Sequence, residues 1–252
     1  KKINVWGFLI MKWNKKFKYP ASTRSLIRGS RHYDIQTEDS GFEVMEKLPS
    51  VTTILSATQP EEKRKALADW QARVGKEQAT RTKDQAAVRG TVMHNIIEGW
   101  LLGEQHLDLT NVGQNAHGMA QKIIEDGINY KLTEIWGTEV TVHYPGLYAG
   151  ATDLVGIYEG HQSIVDFKQT NKPKRREWIE DYLLQLGGYA MAHNHVYGTN
   201  ITQGVILMCS KDNYFQKFTI SGQEFISKQH DFLRRVDQYY DQATRATELQ
   251  PS

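Results

Sequence analysis

Asp166 and Lys168 are two residues apart in a short apolar segment. A β-strand would place both side chains on one face, while Val165 and Phe167 face the core. A further acid, Asp153, lies in an earlier strand-like segment. If the two segments pair as neighbouring strands, Asp153 comes beside Asp166. The pattern therefore predicts two carboxylates and a lysine that converge at one end of a twisted sheet.

Such a group suits metal-dependent cleavage of a phosphodiester. Carboxylate oxygens are hard ligands that favour Mg²⁺ or Mn²⁺, and Asp153, Asp166 and the Phe167 carbonyl are predicted to hold the ion. A bound ion polarises the scissile phosphate and lowers the pKa of a water molecule. Lys168 would orient that water or offset charge in the transition state. The structural alternative is an Asp166–Lys168 salt bridge on an exposed strand, with Asp153 in a turn.

Two pairs at helical spacing could enlarge this site. His94 and Glu98 are four residues apart, so one helical face could add an imidazole and a carboxylate to the metal ligands. Gln185 and Tyr189 have the same spacing after Lys168, so both can face the end of the sheet where the acids converge. A structural reading also exists, because a single buried histidine is more often a core residue and Glu98 suits a solvated face.

Periodicity and turn signals predict the elements that position these residues. Residues 1–48 look like short strands and turns, with an apolar strand at Val5–Met11. Helical character runs from about Glu61 to Leu102 with a break near Gly75, and again from about Asn115 to Lys131. The later elements are predicted as strands at Thr138–Tyr144, Leu147–Tyr158 and Ser163–Lys168, a helix at Arg175–Tyr197, strands at 203–209 and 214–219, and a helix at 221–246. This order predicts an α/β core preceded by a helical lobe.

Composition narrows the class of protein. No segment approaches the roughly 18 apolar residues of a membrane span, so a soluble protein without a membrane partner is expected. The single cysteine, Cys209, excludes a disulfide, a four-cysteine zinc site and an iron–sulfur cluster within one chain. It indicates a reducing compartment and is interpreted as a buried strand residue.

Basic residues are clustered along the chain, although the net charge is only +2. The first 33 residues contain nine Lys or Arg and no acid, interleaved with aromatic residues. A second cluster follows the candidate site at Lys172, Lys174, Arg175 and Arg176. Basic side chains near aromatic rings suit a nucleic-acid backbone with stackable bases, so this second cluster is predicted to bind DNA. A solvated surface is the alternative.

Taken in order, these motifs resemble the RecB-type branch of the PD-(D/E)XK nucleases. The family pattern is a helix with Gly-x-x-x-His, a strand acid, a Gly-x-x-Asp strand, an Asp-x-Lys strand and a helix with Gln-x-x-x-Tyr. The matching residues are Gly90 and His94, Glu139, Gly150 and Asp153, Asp166 and Lys168, and Gln185 and Tyr189. Further similarity, in Leu48–Leu55, Trp70 and Lys172–Pro173, is to the exonucleases that maintain mitochondrial genomes and to their phage and bacterial relatives.

The resemblance implies a PD-(D/E)XK core with a central mixed sheet flanked by helices. It also implies Mg²⁺-dependent cleavage of DNA, preferentially single-stranded and with a free end, with Mn²⁺ able to substitute. The positions that match the family's metal and catalytic residues are His94, Asp153, Asp166 and Lys168, and those that match supporting residues are Glu98, Glu139, Gln185 and Tyr189. The helical stretch from about Glu61 to Lys131 matches an arch that admits a single strand.

The expected organisation is a basic region at 1–48, a helical lobe at 49–135 and a nuclease core at 136–252. A monomer in the cytoplasm of a bacterial or phage-infected cell is expected, because no Arg/Ser-rich transit segment is visible. Two departures from the family pattern are Gln169, where many relatives have Thr, and Thr152, where the nominal Pro stands. The alternatives are a structure-specific or flap endonuclease on the same core, and a DNA-binding module without activity.

Overall fold

The computed structural model describes residues 11–39, 42–104 and 110–248. The strand predicted at Val5–Met11 lies outside these residues apart from Met11, which is not in a strand. Within the described ranges, no helix is both long enough and apolar enough to cross a membrane.

Nine strands in these ranges form two sheets. They are β1 (Lys12–Trp13), β2 (Ala21–Ile27), β3 (Ser30–Asp39), β4 (Phe42–Pro49), β5 (Leu132–Tyr144), β6 (Tyr148–Tyr158), β7 (His161–Thr170), β8 (Gln203–Ser210) and β9 (Phe215–Ser221). The larger sheet has the spatial order β1-β5-β6-β7-β8-β9 and is mixed, because β7 and β8 run parallel whereas β5, β6 and β7 are antiparallel neighbours. The smaller sheet is antiparallel, in the order β2-β3-β4.

Helices cover both faces of the larger sheet. They are α1 (Val51–Ala57), α2 (Glu61–Val74), α3 (Lys76–Leu102), α4 (Asn111–Lys122), α5 (Glu180–Tyr197) and α6 (Gly222–Glu248), with a π-helical turn at Ile123–Ile128 and a 3₁₀ turn at Arg176–Trp178. The core lies in two layers, one beneath α1, α5 and α6 and the other beneath α3 and α4. In β8, Ile206 faces the first layer while Leu207 and Cys209 face the second. β8 is therefore covered on both faces, as expected of a strand between two layers of helices.

The hairpin between β6 and β7 sets the geometry of the site. Glu159 and Gly160 connect the strands with φ values of 47° and 82°. A two-residue turn with positive φ at both positions has the twist that antiparallel strands require. The predicted hairpin turn at these two residues is therefore confirmed, and it places Asp153 on the strand next to Asp166.

The smaller sheet packs against the larger one at β5 and β6. Tyr33, Ile35 and Leu48 form a buried cluster with Ala149 of β6. The Ser22 and Thr141 hydroxyl oxygens are 2.6 Å apart, which joins β2 to β5 by a hydrogen bond. The smaller sheet is thus attached to the core by apolar packing and by a polar contact.

The predicted α/β core with a central mixed sheet between helices is confirmed. The predicted break at Gly75 is also present, with φ of 86° between α2 and α3. The short helix α1 was not predicted. The Ser50 hydroxyl caps its N-terminus by accepting a hydrogen bond from the Thr53 amide.

The helix predicted at Asn115–Lys131 differs at both ends. It begins at Asn111, because the Thr110 hydroxyl accepts a hydrogen bond from the Gly113 amide and caps the helix there. It ends as the π-helical turn to Ile128, two residues before Tyr130 with φ of 62°. The strand predicted at Thr138–Tyr144 is longer than expected: β5 begins six residues earlier, at Leu132.

Candidate active site

Glu139 and Asp153 lie opposite each other on β5 and β6. The register pairs on either side of them are Thr138–Leu154 and Val140–Thr152. Like charges directly opposite on neighbouring strands are destabilising. Glu139 also has φ of 50°, a left-handed conformation that is uncommon for a residue with a Cβ atom. Facing acids together with an unusual backbone conformation indicate a functional role for Glu139.

His94 brings an imidazole from α3 to these two acids. Its Nδ1 atom is 3.5 Å from Asp153 Oδ1 and 3.8 Å from Glu139 Oε1. The ligand atoms of the three residues all lie within 4.8 Å of one another. The Nε2 atom donates a hydrogen bond of 2.8 Å to the Phe167 carbonyl. Because that bond fixes a proton on Nε2, Nδ1 is the ring nitrogen that faces the two acids, and it is the atom that would bind a metal ion once its own proton is displaced.

Asp153 also connects β6 to β7. The pair Leu154–Val165 is the last in the register at this end of the two strands. Beyond it, Asp153 Oδ2 accepts a hydrogen bond of 2.7 Å from the Phe167 amide. The carboxylate thus provides a hydrogen-bond acceptor for an amide that lies beyond the paired part of the two strands. Its other oxygen faces His94.

Asp166 and Lys168 form the second half of the site. Asp166 is only 3% exposed. The Nζ atom of Lys168 is 2.6 Å from Asp166 Oδ2 and 4.9 Å from the centre of the Tyr182 ring. Val165 and Phe167 pack in the core layer under α3 and α4, as the alternation predicts. Because the acid is buried, this is not an ion pair on an exposed strand face.

Gln185 and Tyr189 hold Lys168 from α5. Gln185 Oε1 accepts a hydrogen bond of 3.2 Å from Lys168, and its Nε2 atom donates one of 2.8 Å to the Tyr189 hydroxyl. The Tyr189 ring lies against Gly150, where an added Cβ atom would come within 2.5 Å of the ring. Gly150 therefore lets α5 bring its polar side chains to the end of the sheet where the acids converge.

Burial and neighbouring charges shift the pKa values of this group. Burial would lower the pKa of His94, but the Asp153 carboxylate outweighs that effect and raises the pKa to about 10. Burial raises the pKa of Asp166 to about 6, with Lys168 opposing the shift and Asp153 adding to it. Burial would also lower the pKa of Lys168, yet Asp166 and Asp153 raise it above its ordinary value. Lys168 is consequently an ammonium ion at neutral pH.

The arrangement fits a divalent metal ion. The separations of 3.5 and 3.8 Å between His94 Nδ1 and the two acids are too long for good hydrogen bonds and leave space for an ion. Asp166 Oδ2 is buried, and the Lys168 ammonium group at 2.6 Å is the charge beside it. An imidazole nitrogen with hard carboxylate oxygens suits a divalent cation. His94, Glu139 and Asp153 would hold it, with Asp166 close by.

Two predicted site residues have contacts that their predicted roles did not specify. The Phe167 carbonyl, predicted as a metal ligand, accepts the hydrogen bond from His94, and direct ligation by it stays a prediction. Glu139, predicted to have a supporting role, lies within the ligand cluster. Its position could have been found from the sequence, because β5 and β6 pair symmetrically about the turn that joins Tyr144 to Tyr148.

Glu98 lies one helical turn after His94, as its spacing predicts. Burial raises its pKa, and the charges of Glu139 and Asp153 raise it further. Glu98 therefore contributes to the negative potential around the cluster, but it is not part of the three-residue ligand group.

The second basic cluster is largely engaged in protein contacts at its C-terminal end. Arg176 pairs with Glu224 at 2.8 Å and donates to the Thr219 carbonyl at 3.3 Å. Arg175 lies 3.8 Å from Glu177 and 5.3 Å from the centre of the Trp178 ring. DNA binding by Lys172, Lys174, Arg175 and Arg176 stays a prediction.

A pocket of about 250 Å³ contains the acids, His94 and Lys168. Its other wall comes from the smaller sheet, through Arg24, Arg31 and Tyr33. The sequence indicated only that residues 1–48 are basic, and charge alone does not tell which arginine faces a site built by strands more than a hundred residues away.

Arg89 is a further residue near the site to which the sequence patterns assign no role. It donates a hydrogen bond of 3.0 Å to Gln169 Oε1 and a second one to Asn171 Oδ1. These bonds tie α3 to the end of β7, just after Lys168. They explain how Gln169, the departure from the family pattern, is accommodated.

Comparison with known proteins finds sequence relatives, although no family model matches the chain. The chain is 28% identical over 219 residues to mitochondrial genome maintenance exonuclease 1 of Mus musculus, covering 81% of this chain and 62% of that protein. It is 28% identical over 178 residues to the protein of the same name in Xenopus tropicalis, covering 66% of this chain and 49% of that protein. The chain thus spans from about half to just under two thirds of these relatives, which confirm the resemblance that the motifs predict.

Two solved structures are also similar. An exonuclease candidate from Eubacterium rectale aligns with a TM-score of 0.48 and 14% identity, over 67% of this chain and 69% of that chain. An alkaline exonuclease from Laribacter hongkongensis aligns with a TM-score of 0.29 and 16% identity, over 64% of this chain and 86% of that chain. Both TM-scores are below 0.5, so neither likeness supports a conclusion about this chain.

Proposed function

We propose that the chain is a PD-(D/E)XK-type DNA exonuclease that uses Mg²⁺, or Mn²⁺ in its place, to hydrolyse single-stranded DNA from a free end. The proposal rests on one observation above all: the His94–Glu139–Asp153 cluster and the buried Asp166–Lys168 pair line the same pocket. The name of the sequence relatives, an exonuclease, supports the same activity.

The pocket divides the reaction between two sets of groups. His94, Glu139 and Asp153 would hold a divalent ion, which would supply positive charge against the scissile phosphate and make a water molecule more acidic. Lys168 stays charged because the neighbouring acids raise its pKa. It therefore acts as a hydrogen-bond donor that orients the water or stabilises negative charge in the transition state, and not as the proton acceptor.

The position of Lys168 is set by its neighbours. Asp166 holds the ammonium group by charge, and Gln185 holds it by a hydrogen bond from α5. The Arg89 bonds to Gln169 and Asn171 fix the chain that continues from Lys168. A catalytic group restrained from several directions needs little reorganisation when the substrate binds.

The preference for a single strand is proposed from α2 and α3. No residue of α2 is buried, and in α3 Ala79 is the one buried residue before Met93. Such a long helical segment is not explained by core packing, since a helix that serves the core buries an apolar stripe. We assign it as the arch through which a single strand would reach the pocket.

Digestion of matched DNA substrates tests the proposal. With Mg²⁺ present, linear single-stranded DNA should be degraded while a circle of the same sequence and a blunt duplex survive. Chelation of the metal should stop the reaction. Cleavage of the circle would favour the structure-specific or flap endonuclease, whereas DNA binding without any cleavage would favour the inactive binding module.

A further inference from the structure

The smaller sheet contributes a wall of the candidate active site. Arg24 and Tyr33 are register partners on β2 and β3, so their side chains share one face of this sheet. Arg31 lies on the same face, two residues before Tyr33 on β3. All three residues line the pocket that contains His94, Asp153 and Lys168. An element outside the motif region therefore faces the reaction site directly.

The backbone that carries these arginines is well fixed. The Arg31 carbonyl accepts hydrogen bonds of 3.0 Å from the Ser50 amide and 2.8 Å from the Thr53 hydroxyl. Tyr33 is 3% exposed and packs with Ile35 in the apolar cluster on β6. The sheet is thus preorganised on the core, and side chains on its inner face have a defined position relative to the catalytic strand.

The charges of Arg24 and Arg31 are not used within the protein. Both side chains are exposed, and neither has a carboxylate within 4.0 Å among the described residues. Arg24 lies 5.8 Å from the centre of the Tyr33 ring, which orients its guanidinium without neutralising it. Arg176 and Arg235, by contrast, are paired with Glu224 and Asp181. Arg24 and Arg31 therefore keep their full capacity to bind an anion.

We propose that Arg24 and Arg31 bind the phosphodiester backbone of the DNA strand on the side of the pocket opposite β6 and β7. The inference rests on the proposed function and specifies which residues outside the motif region hold the substrate. The guanidinium group is planar and can bind a phosphate through two parallel N–H donors. Arginines facing a pocket that is otherwise rich in acids also offset the repulsion that a polyanionic strand would meet there.

The test uses single and double substitutions with glutamine, which removes the charge and keeps a polar side chain suited to a strand. The matched control is Arg28→Gln, because Arg28 is an exposed arginine of the same sheet, in the β2–β3 turn, that does not line the pocket. Cleavage of a linear single-stranded oligodeoxynucleotide gives KM and kcat, and fluorescence anisotropy of the same oligonucleotide gives its affinity and salt dependence.

Arg24→Gln and Arg31→Gln should each raise KM by roughly tenfold, because each removes charge-assisted hydrogen bonds to phosphate. Their kcat values should change much less, since neither residue is proposed to act on the reacting atoms. For each phosphate contact that is lost, the slope of log affinity against log salt should fall by about 0.7. Arg28→Gln should have the KM and the slope of the unsubstituted protein.

Two outcomes would overturn the inference while leaving the exonuclease proposal intact. One is unchanged KM and salt slope in the double variant of an active enzyme. The other is an equal effect of Arg28→Gln, which would mean that only the overall charge of the sheet matters. Absence of cleavage by the unsubstituted protein would instead contradict the proposed function, and anisotropy would still report whether the two arginines bind the strand.

Discussion

The two walls of the pocket are built on different principles. On the wall formed by β5, β6 and β7, the functional groups contact one another: Asp166 is buried beside Lys168, and His94 lies between two acids. On the wall formed by the smaller sheet, Arg24 and Arg31 are exposed and have no acidic partner among the described residues. Groups on the first wall are held by the protein, whereas those on the second are available to a ligand.

The difference indicates a division between chemistry and substrate binding. A mutually restrained cluster is preorganised for a transition state, so damage to it should appear mainly in kcat. Exposed cations bind substrate and transition state alike, so damage to them should appear mainly in KM. The following predictions test that division.

Lys168→Ala and Asp166→Asn should have the largest effect. Lys168→Ala removes the ammonium group and Asp166→Asn removes the charge that holds it, so activity should fall by about 10³-fold or more in either variant. DNA affinity, measured by anisotropy, should stay within about threefold of the original, because neither group is exposed enough to dominate phosphate binding. Thermal unfolding of both variants checks that the fold persists, and normal cleavage by either one would end their assignment to the active site.

Glu139→Gln should weaken metal binding by about 10- to 100-fold. The matched control is Glu159→Gln, since Glu159 is also a non-glycine residue with positive φ, at 47°, but its carboxylate pairs with Lys217 far from the cluster. Calorimetric titration with Mn²⁺ measures the difference. Equal metal affinity in both variants would remove Glu139 from the ligand set.

Gln185→Ala should lower kcat by on the order of tenfold, because Lys168 loses its restraint from α5 and a misplaced catalytic group reacts slowly. KM should hardly change, since Gln185 is a positioning residue on the first wall. Gln185→Glu is the informative companion, because it keeps an acceptor for Lys168 but cannot donate to the Tyr189 hydroxyl when ionised. A rise in KM without loss of kcat would contradict the division between the two walls.

Substitutions in the second basic cluster should have the smallest effect. Lys172→Gln and Lys174→Gln should each lower the salt slope of single-strand binding by up to about 0.7, whereas Arg176→Gln should lower it by less. The reason is that Arg176 is paired with Glu224, while the two lysine side chains have no partner in the described part of the chain. An unchanged slope in both lysine variants would show that this cluster is only a solvated surface.

Much of the first wall could be predicted from local patterns. Alternation along a strand placed Asp166 and Lys168 on one face, and spacing of four residues brought His94 from one helix and Gln185 with Tyr189 from another. The position of Glu139 opposite Asp153 depends on how β5 pairs with β6, and this register is not a local pattern of the sequence. The second wall depends on how a separate sheet docks, through Ser22, Ile35 and Leu48, and no local pattern carries that information.

Asp153 determines both the shape and the charge of the site. One of its oxygens accepts a hydrogen bond from the Phe167 amide, at the point where the pairing of β6 with β7 ends. The same side chain thus shapes the opening between the strands and would supply a metal ligand. For protein engineering, this means that most replacements would alter the architecture and the chemistry together. Asparagine is the exception, because its amide oxygen can still accept the Phe167 hydrogen bond although the charge is gone. Asp153→Asn is therefore the substitution of choice for trapping an intact DNA complex in a protein that does not cut.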